Sequence, residues 1–244
     1  MLIPERKERL YGKEWIYVGR SVNNLGYNWC CAAMTIPTLI ANTRADQLKS
    51  RYFKSYSTIT QALKLMQADD VSMDSADYSA YSNPLYKVFM RYLSAPYDCG
   101  LGGDIGAGQG NKKEVPCYKS STGNSAIPYK SLDGKSNFNQ DYLDDGQIAM
   151  QDGSLFLFEN YGGRIFISVD LNGYNNKPNR AGYDLFTFQY IDGELLPMGD
   201  SRTLYPDVDK YCSLTSSSSL NGITCASKVK SDADYFKKLA RVIK

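Results

Sequence analysis

Between Ala32 and about Asp70, apolar residues return at steps of four and three: Leu48, Tyr52, Tyr56, Ile59, Leu63 and Met66. Lys49, Lys54, Gln61 and Lys64 fall elsewhere on the wheel. That period predicts one amphipathic helix, and a helix with a single apolar face needs a second layer to lie on. Pro37 falls inside its first part and is expected to kink it. A second, shorter helix is predicted from Pro84 to Leu93. Asn83 would be its cap, Pro84 its first residue, and Leu85, Val88, Phe89 and Tyr92 its buried side.

The second layer announces itself by a change of period. From Ala95 to Asp141 the chain is rich in Gly, Lys, Ser and Asn without apolar periodicity, which reads as a long irregular excursion. Beyond it, Ile148–Met150 and Leu155–Phe158 flank Asp152-Gly153, a hairpin signal. Ile165, Ile167 and Val169 alternate with Arg164, Phe166 and Ser168, and Phe186, Phe188 and Tyr190 with Leu185, Thr187 and Gln189. Asp192-Gly193 turns the chain into Glu194–Leu196. Ser213–Leu220 reads as a polar loop and 232–244 as a short terminal helix. A long helix followed by such strands predicts an α+β fold, the helix covering one face of an antiparallel meander.

Composition narrows the chemistry. The chain has 244 residues and no histidine, which removes Ser-His-Asp and Cys-His triads, His-ligated zinc and the usual neutral-pH general base. With 28 Lys plus Arg against 26 Asp plus Glu, the net charge of +2 is not that of a general nucleic-acid binder, and no nucleic-acid partner is predicted. Neither a base nor an activated nucleophile can be named, so the chain reads as non-enzymatic.

Cys99, Cys117, Cys212 and Cys225 lie in loop-rich stretches. Four cysteines allow three pairings, and sequence alone does not choose among them. Local pairing, Cys99 with Cys117 and Cys212 with Cys225, is the simplest, because each pair brackets a Gly- or Ser-rich segment. Reduced buried thiols are the alternative. Disulfides would place the domain outside the cytoplasm.

Two stretches bear on ligand binding. The run Gly100–Gly110 is not a phosphate loop, since Asn111 separates Gly110 from Lys112 and no Gly-Lys-Ser/Thr follows. Asp170, Asn172, Asn179 and Asp184, with Gly173, Asn175 and Asn176 between them, form an oxygen-rich cluster that suits Ca²⁺. The glycine is not where an EF-hand loop places it and the terminal Glu is missing, so an Asx-rich turn competes with calcium. Asp141, Asp144 and Asp145 read as a solvated turn.

The stretch Ala32-Ala33-Met34-Thr35-Ile36-Pro37-Thr38-Leu39-Ile40-Ala41-Asn42, continued by Leu48-Lys49 and 56–64, closely resembles the end of the N-terminal helix in type IV pilin-like and type II secretion pseudopilin proteins. Asp170-Leu171-Asn172-Gly173, Lys177-Pro178-Asn179, Gly182–Phe186 and Asp192–Pro197 also look like the C-terminal part of that group. The family carries, before this helix, a basic leader, a Gly-Phe cleavage junction, a nearby Glu and an apolar run. Met1–Cys31 has none of these. Re-read in the neighbouring frame, however, Trp15–Cys31 can be back-translated to GFTLAEVLITLGIIGVV. The expectation is therefore a prepilin signal displaced by one missing base immediately before Ala32, with Trp29, Cys30 and Cys31 as frame artefacts.

The resemblance implies three regions: an aberrant leader (1–31), a pilin-like helix (32–70) and a globular α+β head (71–244). It implies a filament subunit assembled through Ala32, Ala33, Met34, Ile36, Pro37, Leu39 and Ile40. Its partners would be other pilin or pseudopilin subunits and, with the signal restored, a prepilin peptidase and an inner-membrane assembly platform. The intact form would pass from the inner membrane to a cell-surface filament. The remaining apolar run, Ala32–Ala41, is far short of the roughly 20 residues a span requires. The alternative function is a secreted or surface-exposed binding module with a calcium-stabilised loop.

Overall fold

The computed structural model describes residues 22–101, 116–118 and 128–243, with the side chains of the first helix from residue 39 onward. The chain divides into two compact units at Ala41/Asn42, and each is taken by itself. In the first, the backbone is helical from Val22, ten residues before the helix was expected to begin. Residues 1–21 of the expected leader, and the side chains of Ala32, Ala33, Met34, Ile36 and Pro37, lie outside what is described. The same holds for 102–110 of the glycine-rich run.

The second unit holds the head and the C-terminal half of α1 (Val22–Ala68). Of the six stripe residues, Leu48, Tyr52, Ile59, Leu63 and Met66 are buried and Tyr56 is half-buried. Ala45 and Ala62 join them, letting the helix approach the sheet closely.

That sheet has six strands in the order β1-β2-β3-β4-β5-β6, all neighbours antiparallel. They are β1 (Tyr97–Gly100), β2 (Gln147–Ala149), β3 (Leu155–Tyr161), β4 (Arg164–Asp170), β5 (Leu185–Ile191) and β6 (Glu194–Pro197). The meander is as expected, with one addition: β1 lies in the stretch that had read as irregular. The Asp192-Gly193 turn has φ of +48° and +86°, the left-handed pair that a tight hairpin needs, which is why an Asp-Gly dipeptide marks it. At β6, one backbone carbonyl is already engaged by α1. Tyr56 Oη donates to Leu195 O at 2.9 Å, and Pro197 has no N–H to offer.

Strands β2 to β5 are buried on both faces over most of their length, where one-sided burial would leave alternate residues in water, whereas β1 leaves Tyr97 and Asp98 exposed. β4 is buried at every position but its first. Ile165, Ile167, Val169, Phe156, Phe158, Phe186 and Phe188 face α1 together with α4 (Cys225–Ser231) and α5 (Tyr235–Val242). Leu155, Leu157, Phe166 and Leu185 form a second core with Tyr118, Tyr129, Phe138, Leu143 and Ile223. The polar alternates are satisfied internally: Ser168 and Thr187, paired across β4 and β5, share a hydroxyl hydrogen bond of 2.8 Å. The described parts of the excursion therefore cover a sheet face.

The second helix differs from expectation at its start. α2 (Leu85–Met90) has Pro84, not Asn83, at its cap. Asn83 is occupied elsewhere: its backbone bridges Ser79 in both directions and its Nδ2 donates to Asp77 O. Leu85, Tyr86 and Phe89 are its buried residues, with Val88 and Tyr92 half-buried. A short helix, α3 (Val208–Tyr211), and α4 were not foreseen; α5 falls where the terminal helix was expected.

Candidate functional site

The β4–β5 connection brings the four candidate oxygen donors into one loop. Asp170 closes β4 opposite Leu185 and is fully buried. Its Oδ1 accepts from the backbone N–H of Asn172 and Gly173 at 3.1 and 2.9 Å, and its Oδ2 from the Tyr129 hydroxyl at 2.7 Å. Asp184, equally buried, accepts from Asn179 N at 3.0 Å and Arg180 N at 2.6 Å. Asn172 and Asn176 exchange amide-to-carbonyl hydrogen bonds, and Asn179 Nδ2 donates to Tyr174 O. Helix α1 reaches the loop through Arg51, which donates to Leu171 O at 2.9 Å, and Arg44, which donates to Lys177 O.

Three of the four carboxylate oxygens thus organise backbone, as an Asx-rich turn does, and the fourth holds the Tyr129 hydroxyl. Two oxygens differ: Asn172 Oδ1 and Asn179 Oδ1 are buried without a hydrogen-bond partner. Burial raises the Asp170 carboxyl to about 6 against its hydrogen bonds. Burial, and then the neighbouring Asp170 charge, raises Asp184 well above the usual carboxylate range.

A second carboxylate group was not legible as such. Asp144 and Asp145, expected to be a solvated turn, meet Glu159 of β3, and one oxygen from each lies within 4.8 Å of the others. Asp145 Oδ2 is held by Asn160 N at 2.9 Å, while Asn160 Nδ2 reaches Ser75 O and Tyr78 O and ties a third segment to this point. Glu159 is only 8% exposed. Burial, then the charges of Asp145 and Asp144, raise its carboxyl to about 9, so it keeps its proton and donates it to Asp144.

That shift has a measurable sign. Below about pH 4.5 Glu159 is protonated in both states and contributes no slope. Between there and about pH 9 the unfolded chain is ionised while the folded chain holds its proton, so stability falls as pH rises. Asp144 and Asp145, also raised chiefly by burial, act in the same direction. Glu159→Gln should unfold at higher denaturant than the parent at pH 8.5 and show a flatter pH profile. An unchanged profile would refute the buried proton.

The two disulfides form in the local pairing, Cys99–Cys117 and Cys212–Cys225, with Cα separations of 5.6 and 5.1 Å. Beside the first, the Gln147 side chain clasps Tyr118 by accepting from its N–H at 2.9 Å and donating to its carbonyl at 3.1 Å. This fastens 116–118 to β2.

A groove of about 460 Å³ lies beside α1 where it faces the β2–β3 turn, lined by Lys54, Ser55, Thr58, Asp152, Ser154 and Phe156 among others. It has hydroxyls but a poor base. Burial works to raise the Asp152 carboxyl, yet the hydrogen bonds from Lys54 and Ser154 outweigh it and hold it below its ordinary range. A carboxylate so held does not readily take a serine proton. Leu39 and Ile40, the two residues of the expected assembly set whose side chains are described, are 67% and 62% exposed.

Comparison of the chain with protein-family models, with curated proteins and with solved structures finds no match in any of the three. The architecture defines the class: an α+β head in which a helix lies on a six-stranded antiparallel meander, fastened by two disulfides. No helix among the described residues is long and apolar enough to cross a membrane.

Proposed function

We propose that the chain is a non-enzymatic subunit of a type IV pilus-like or type II secretion pseudopilus filament. The observation that carries this reading is the α1 stripe seated on an antiparallel meander, in the chain order that the motif at Ala32–Asn42 implies. The filament physics follows from the sequence. An apolar N-terminal helix exchanges lipid contact for contact with the same helix of a neighbour, so its apolar surface stays out of water throughout assembly. The head sets which neighbours fit, and its disulfides suit an extracytoplasmic site.

A gene with one base restored before codon 32 would encode the apolar N-terminal run that the family carries. The expected result is that the restored protein, expressed with a prepilin peptidase, an assembly ATPase and an inner-membrane platform, is processed and recovered in filaments visible by electron microscopy. Restored protein that is cleaved but stays monomeric would overturn the reading, as would DNA whose codons 15–31 do not spell the signal in the shifted frame.

A second reading, a surface-exposed binding module with a calcium-stabilised loop, is favoured by one observation. Asn172 Oδ1 and Asn179 Oδ1 are unpartnered oxygens in the loop that holds two buried carboxylates. If Ca²⁺ binds there, 5 mM CaCl₂ should raise the melting temperature over an EDTA-treated sample, by about 2.7 kcal/mol of stabilisation at a hundredfold excess over Kd. Asp184→Asn should abolish the difference. Identical melts in calcium and EDTA would exclude it.

A further inference from the structure

We draw no further inference here: the strongest candidate, the carboxylate cluster of Asp144, Asp145 and Glu159 where the loop before β2 meets β3, carries nothing because no feature beyond the three acids themselves points to a ligand.

Discussion

Replacing Tyr52 by alanine is expected to remove about 3–5 kcal/mol of stability, the range for truncating a large buried aromatic side chain. Tyr52 is 3% exposed and lies at the centre of the helix–sheet seam. Its ring meets Phe186 edge-on at 5.1 Å, Phe188 at 5.6 Å and Phe236 at 6.4 Å, so one side chain touches β5 and α5 together. Its hydroxyl donates to Ala226 O of α4 at 2.8 Å. Truncation therefore opens a cavity among three elements and removes a hydrogen bond to α4. Tyr52→Phe separates the two effects. It keeps the ring and loses only the hydrogen bond, at a cost of about 0.5–1.5 kcal/mol, since Ala226 lies inside α4 and its carbonyl also has the helix to bond to. Against a typical total of about 5–15 kcal/mol, the alanine variant should show a lowered urea midpoint and the phenylalanine variant an intermediate one. Equal midpoints for Tyr52→Ala and the parent would mean that α1 does not rest on this sheet.

What could be read beforehand follows from how far apart the interacting residues lie. The α1 face was legible because a helix writes its partner's position at every third or fourth residue, and Leu48 to Met66 fit that period. The β5–β6 hairpin was legible because the conformation demanded at Asp192-Gly193 is local. The second sheet face was not. Phe166 looked like an outward alternate of Ile165 and Ile167, since residues that share its core, Tyr118, Tyr129 and Phe138 among them, come from the stretch with no period of its own. Ser168 and Thr187 are polar alternates on separate strands, and only the β4–β5 register sets them opposite one another as partners.

The same reason hid the acidic group. Asp144 and Asp145 are adjacent and visible, whereas Glu159 arrives on the returning strand. In the β4–β5 loop, by contrast, all the oxygen-bearing residues are close in sequence, and the composition alone located them. What it could not supply was the partnering: that Tyr129 and the α1 arginines Arg44 and Arg51 would be the groups drawn to that loop.

Removing the Cys212–Cys225 bridge, as the double variant Cys212→Ala/Cys225→Ala, should cost about 3 kcal/mol from the entropy returned to the unfolded chain. The melting temperature should fall by roughly 6–12 °C, at about 2–4 °C per kcal/mol for a domain of this size. Gly182 offers an independent test of how the bridge packs. Its φ is +79°, and a Cβ placed on it would stand 2.6 Å from Cys225 Sγ. Tyr235 Oη donates to the Gly182 carbonyl, so the backbone cannot easily retreat. Gly182→Ala should therefore be strongly destabilising in the parent, through both the left-handed conformation and the collision with sulfur. In the bridge-free background the collision with sulfur is relieved, while the tighter-than-usual contact with the β-carbon of residue 225, at 3.0 Å, and the conformational part remain. The two changes should thus be non-additive, with the triple variant more stable than the sum of the separate losses predicts. Strict additivity in urea unfolding would show that Gly182 does not abut the disulfide. A double variant as stable as the parent would show that the bridge does not constrain the unfolded chain.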